Sequence, residues 1–166
     1  MAVLLMLCST SQVATAADHL KVNPGLDYMK NAWQGPLIEG DNLWDGLVKG
    51  KPNYIFMYGE FCYDAKRQAL RTVELYGDYG DRVHFVIIDV SRPIPKLTQM
   101  PLIYKYFSGF FPQTIILDEN GKIVLDYTGE VDDATLIGWL DAVVRGSSQP
   151  AEAGAAKSEP AAAGSQ

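Results

Sequence analysis

Two cysteines, Cys8 and Cys62, and two histidines, His19 and His84, are the chain's whole supply of thiols and imidazoles. Cys62 is the one whose setting favours chemistry. It follows Tyr54-Ile-Phe-Met-Tyr58, an uninterrupted apolar and aromatic run of strand length that Gly59 breaks. From Ala65 onward, Ala65, Ala69, Val73 and Tyr76 recur at helical spacing. The pattern predicts buried strand, tight turn and helix, with Cys62 at or just before the first helical turn. Unpaired backbone N–H groups and the positive end of the helix dipole favour a thiolate there, and a thiolate is the nucleophile of disulfide exchange. Lys66 acts in the same direction, whereas Glu60 and Asp64 bring negative charge close and oppose it. Asp64 also suits capping at the helix start. His84 lies among apolar strand neighbours and reads as a packing residue. No glycine-rich phosphate loop, Ser-His-Asp set or zinc spacing is present, so neither a cofactor nor a metal is expected.

The surrounding chain supplies elements to hold such a thiol. Asp41 or Asn42 can cap a helix in which Leu43, Trp44, Leu47 and Val48 form an apolar stripe, ending at Gly50 and Pro52. After the central helix, Gly77 to Arg82 reads as a turn, and Val83 to Val90 is a second continuous apolar run. Two such runs joined through a helix predict a right-handed parallel βαβ unit covered on both faces. Pro93 and Pro95 mark a loop, and Pro101 opens a short helix through Phe107. Gln113 to Asp118 is a strand, Glu119-Asn120-Gly121 a hairpin turn, and Lys122 to Thr128 an edge strand with Ile123, Leu125 and Tyr127 on one face. A last helix over Val131 to Arg145, capped by Asp132 or Asp133, turns Leu136, Ile137, Leu140, Val143 and Val144 inward.

The segment Phe61-Cys62-Tyr63-Asp64-Ala65-Lys66, in its strand-turn-helix setting, resembles the active-site segment of the thioredoxin family, and the element order over roughly 42–145 is similar too. The resemblance implies an α/β fold, a thioredoxin-like mixed β-sheet of about four strands flanked by helices on both faces. It also implies a cis-proline at Pro112 opposite Cys62 and a glycine, Gly129, ending the last strand. Cys62 becomes the implied catalytic residue, and Phe61, Tyr63, Phe111 and Pro112 the implied substrate-binding set. With Phe110 they would wall a shallow groove for an extended protein or peptide thiol/disulfide partner, added as a strand. Two positions depart from the family pattern. Ala65 stands where the second, resolving cysteine belongs, and Phe56 where a buried carboxylate assists proton transfer. The expected function is therefore thiol/disulfide exchange or redox sensing through Cys62 alone, without a complete dithiol reductase cycle. The alternative is a non-catalytic binding module that engages its partner through the Cys62/Pro112 face.

Net charge is −6 and no Lys/Arg cluster occurs, which argues against nucleic acid and anionic membrane surfaces as partners. Residues 2–8 form an apolar run too short to span a bilayer, followed by small and polar residues ending in Ala14-Thr15-Ala16-Ala17. This suits a signal peptide over 1–17, atypical in having no basic residue ahead of the run, and hence a periplasmic or secreted protein. The mature chain would carry one thiol and no membrane span. A lead-in over 18–41 and a domain over 42–146 follow. Residues 147–166, with seven Ala, four Ser, two Gly and two Pro, form a tail expected to be disordered, since it has no aromatic or branched apolar side chain to offset the entropy of ordering.

Overall fold

The computed structural model describes residues 19–27, 29, 35–41, 43, 45–92 and 99–150. The expected signal peptide, Cys8 and most of the expected tail lie outside them.

Two apolar runs make the centre of the molecule. β3 (Asn53–Tyr58) and β4 (His84–Asp89) pair in parallel in a register that sets Tyr58 opposite Asp89. β5 (Gln113–Leu117) runs antiparallel to β3 on its other side, and β6 (Ile123–Thr128) pairs antiparallel with β5 at the edge. The sheet order is β4-β3-β5-β6. Alternate side chains serve opposite faces. Tyr54, Phe56, Tyr58, Phe85, Ile87 and Ile116 share one core with α1 (Tyr63–Tyr79) and α3 (Asp133–Val144), while Ile55, Met57, Val86, Ile88, Ile115 and Leu117 pack with Leu102 and Tyr106 of α2 (Met100–Tyr106). Burial of both faces explains why these strands read as unbroken apolar runs.

The lead-in contributes more than loops. β1 (Lys21–Val22) and β2 (Ile38–Glu39) form a two-stranded antiparallel ladder, and Leu26, Leu37 and Ile38 enter the core on the α1 face.

Four local expectations need correction. No helix forms over the described part of 42–49, because side chains from elsewhere take its backbone groups. Asn53 accepts from Val48 N and donates to Val48 O, the His84 ring meets Gly46 O at 2.9 Å, and Gln99 donates to Leu43 O at 2.7 Å. Leu47 and Val48 are left on the surface. Conversely, α1 runs through Gly77 as far as Tyr79. The Tyr79 hydroxyl donates to Asp141 of α3 at 2.8 Å and Tyr76 meets the Phe85 ring edge-on, so tertiary contacts outweigh glycine's weak helix propensity. In β6 a bulge at Val124 breaks the alternation, since Ile116 pairs with Leu125 but Leu117 with Ile123. Ile123 therefore faces water while Val124, Leu125 and Tyr127 pack inward. In α3, Leu136, Leu140 and Val143 are buried, but Ile137 is exposed.

Candidate active site

Gly59 ends β3 and starts the turn that presents the thiol. The Cys62 N–H donates to Gly59 O at 3.1 Å, closing the turn, and Cys62 itself is the extended N-cap residue of α1. Its thiol is free and half-buried. The side chain makes no cap hydrogen bond; it donates across the site to the carbonyl oxygen of Phe111, with Sγ and O 3.7 Å apart. The Phe111–Pro112 peptide bond is cis. A thiol at a helix N-terminus faces the carbonyl that precedes Pro112, on a β4-β3-β5-β6 mixed sheet with helices on both faces, and that sheet order with its helices gives the fold class.

The fold is thioredoxin-like. No protein-family model matches the chain. Among curated proteins it is 23% identical to the thiol-disulfide oxidoreductase ResA of Halalkalibacterium halodurans, over 64% of this chain and 70% of that protein. It is 25% identical to the thiol:disulfide interchange protein TxlA of Synechococcus elongatus, over 63% of this chain and 52% of that one. The chain thus spans about half the length of that TxlA and 70% of that ResA. Among solved structures it is similar to StoA from Bacillus subtilis, at 17% identity and a TM-score of 0.47 over 55% of this chain and 84% of that one. At that score the likeness adds nothing to the strand order and register.

The loop carrying the thioredoxin-like cis-proline is built by polar contacts behind it. Gln113 accepts from Ser108 N and donates to Tyr106 O and Asp126 Oδ1, bridging the end of α2 to β5 and β6. Pro112 O accepts from Gly129 N at 2.7 Å, and Gly129 has φ +111, a left-handed value that glycine adopts without strain. The Phe111 ring lies so close over Gly59 that a Cβ there would come within 2.6 Å of it. Residues 59–62 and 111–112 therefore meet as one site, although 49 positions separate Cys62 from Phe111.

Phe61, Phe110 and Phe111 stand out from this site at 51%, 71% and 38% exposure, a large apolar investment at the surface. Tyr63 is placed differently. Its ring carries the Arg67 guanidinium 4.7 Å from its centroid and its hydroxyl meets Met29 Sδ, so it belongs to the side formed by the N-terminal segment and α1. Lys66 is buried and its ammonium donates to Asp27 O at 3.3 Å. Asp64 pairs with Arg67 on the surface. Phe56 is fully buried, stacked on Tyr58 at 5.3 Å.

One polar cluster is not apparent from the sequence, in which Glu60 stands only as negative charge near Cys62. Glu60 is 1% exposed and ion-paired with Arg92, whose Nε also lies 3.4 Å from Asp89 Oδ2. Burial, then the neighbouring Asp89 carboxyl, pushes Glu60 up to about 7 despite Arg92. The available signal was Glu60 just past the first apolar run and Asp89 near the end of the second, with Arg92 three residues after Asp89. Among the described residues no group of three or more His, Cys, Asp or Glu could hold a metal ion, and no helix is long and apolar enough to cross a membrane.

Proposed function

We propose that the chain is an exported single-thiol protein that exchanges disulfides with protein or peptide partners through Cys62. The carrying observation is the half-buried thiol at the N-terminus of α1, 3.7 Å from the carbonyl oxygen before cis-Pro112. The Cys62 thiolate attacks one sulfur of a partner disulfide. A new S–S bond forms to Cys62, the old one breaks, and the other partner sulfur leaves as a thiolate that takes a proton from water. Ala65 has no sulfur to reverse this step. Release requires a second thiolate, from the partner itself or from a small thiol, which regenerates Cys62 and leaves a rearranged disulfide, so no net oxidant or reductant is consumed in isomerisation. Phe61, Phe110 and Phe111 supply apolar contact, and the backbone around Phe111 and Pro112 supports an extended partner segment. The names of the ResA and TxlA relatives fit this class of chemistry.

Reacting the reduced protein with a disulfide reagent over a pH series and mapping adducts by mass spectrometry tests the reading. Adducts on Cys62 below pH 8 are expected, and a Cys62 that stays unmodified there sinks it. Ala65 together with the exposed phenylalanines favours a second reading, a binding module that needs no sulfur. The two separate on Cys62→Ser. Loss of cellular function with fold and noncovalent partner affinity intact supports exchange, and retention of function supports the module. Export is tested by fractionating cells that express the full chain.

A further inference from the structure

The turn that carries Cys62 is tied to the end of β4 through buried charge. Glu60 N–H donates to Ser91 Oγ at 3.3 Å, and Ser91 donates to Asp89 Oδ1 from both its N–H and its hydroxyl, at 2.9 and 2.6 Å. Arg92 Nε donates to Glu60 Oε1 and approaches Asp89 Oδ2. The two remaining contacts do not close: Glu60 Oε2 and Asp89 Oδ2 are both buried and neither accepts a hydrogen bond from a described residue. Among the described residues, two carboxylates beside one guanidinium leave uncancelled negative charge out of water, which is costly. A proton on Glu60, donated toward the Asp89 carboxyl, would supply a missing donor and cancel that charge.

We propose that Glu60 holds a proton against Asp89 beneath Arg92, and that this proton makes Glu60 a positioning residue for the Cys62 turn. The proposal rests on Cys62 being the reacting thiol. Among the described residues, two other ionisable groups lie near the pair. Tyr58 of β3 is buried, its hydroxyl accepts from Leu37 N, and burial followed by Asp89 holds it protonated well above its ordinary range. Lys66, on the first turn of α1, directs its ammonium at Asp27 O. Loss of this proton sets two negative charges against one cation two residues from the thiol. That repulsion loosens the link between residues 59–62 and 89–92, and the added negative charge disfavours the Cys62 thiolate. Burial and Asp89 place this loss near neutral pH.

Two measurements decide it. In the full, reduced chain, the rate of Cys62 alkylation by iodoacetamide, read on the Cys62 peptide, should follow two ionisations: the thiol's own and a second near neutrality that lowers the thiolate's reactivity roughly threefold. Glu60→Gln keeps the shape and should remove only the second step. Carbon-13 NMR of the wild-type Glu60 carboxyl, independent of any reaction at Cys62, should show a titration near 7. A Glu60 carboxyl that titrates near 4.5 overturns the proposal even if Glu60→Gln does not fold, and so does an alkylation profile that Glu60→Gln leaves unchanged. A Cys62 inert to alkylation defeats the exchange function and with it the positioning role, while the carboxyl titration still reports whether the pair holds its proton.

Discussion

Cys62, the N-cap residue, and Ala65, on the first turn of α1, lie three positions apart, and in the proposed function the difference between them limits the chain to a single-thiol step. Residues so spaced on a helix have Cβ atoms about 5–6 Å apart, and their Cα separation falls in the range a disulfide spans. Ala65→Cys should therefore create a dithiol able to resolve its own mixed disulfides, and the variant should reduce insulin with dithiothreitol as electron donor where the wild type does not. Ala65 is fully buried in the core, so the added sulfur should cost about 1–3 kcal/mol of stability by overpacking, readable as a lower urea midpoint. Failure to gain reductase activity in a folded variant would show that the defect extends beyond the missing sulfur, with Phe56 the first suspect because it offers no carboxylate.

At the scale of elements, the position of α1 depends on how it is fastened to the β6–α3 junction. Glu130 accepts from both Arg67 and Arg71 of α1, and Val131 N–H donates to the buried Gln68 side chain at 2.8 Å. Arg67, with help from Arg71, holds the Glu130 carboxyl below its ordinary range. The clamp crosses about sixty positions of sequence and fixes the helix whose first residues present the thiol. Glu130→Gln should lower stability by about 1–2 kcal/mol, between the values for exposed and fully buried pairs, and the loss should shrink in 1 M salt. Chemical denaturation at two salt concentrations checks both parts. An unchanged midpoint would mean that Gln68 and the apolar contacts of α1 hold the helix by themselves.

For the molecule as a whole, the titrating groups oppose one another. Glu130 is lowered by its arginines, and Asp132 by the Thr135 backbone and hydroxyl that it caps. Each of these contributes stability that is present above the ordinary carboxylate range and is lost as pH falls through its lowered folded value. Glu60 behaves in the opposite sense. Raised from 4.5 to about 7, it keeps in the folded state a proton that the unfolded chain releases. Its contribution is complete below the unfolded value and is lost as pH rises through about 7. Stability should then peak at about pH 5 and decline by roughly 2 kcal/mol toward pH 8, with Glu60→Gln flattening the neutral side. Denaturation midpoints across pH test it, and a wild-type profile flat above pH 5 would contradict it.

Local pattern was enough to place most of the scaffold. Continuous apolar runs revealed β3, β4 and β5, Gly59 marked the turn before Cys62, Pro101 opened α2, and Asp132 caps α3 through Thr135. These features depend on neighbours within a few residues, so their causes are written side by side in the chain. The stripe at Leu43, Leu47 and Val48 misled because its backbone partners, Asn53, His84 and Gln99, arrive from other elements. The approach of Phe111 to Cys62 and the grouping of Glu60, Asp89 and Arg92 depend likewise on strand register across the sheet. Sequence alone determined that a thiol begins a helix after a buried strand. Only the packed sheet decided which carbonyl faces that thiol and which carboxyls lie beneath its turn, because burial and charge pairing over such separations arise only once the strands have docked.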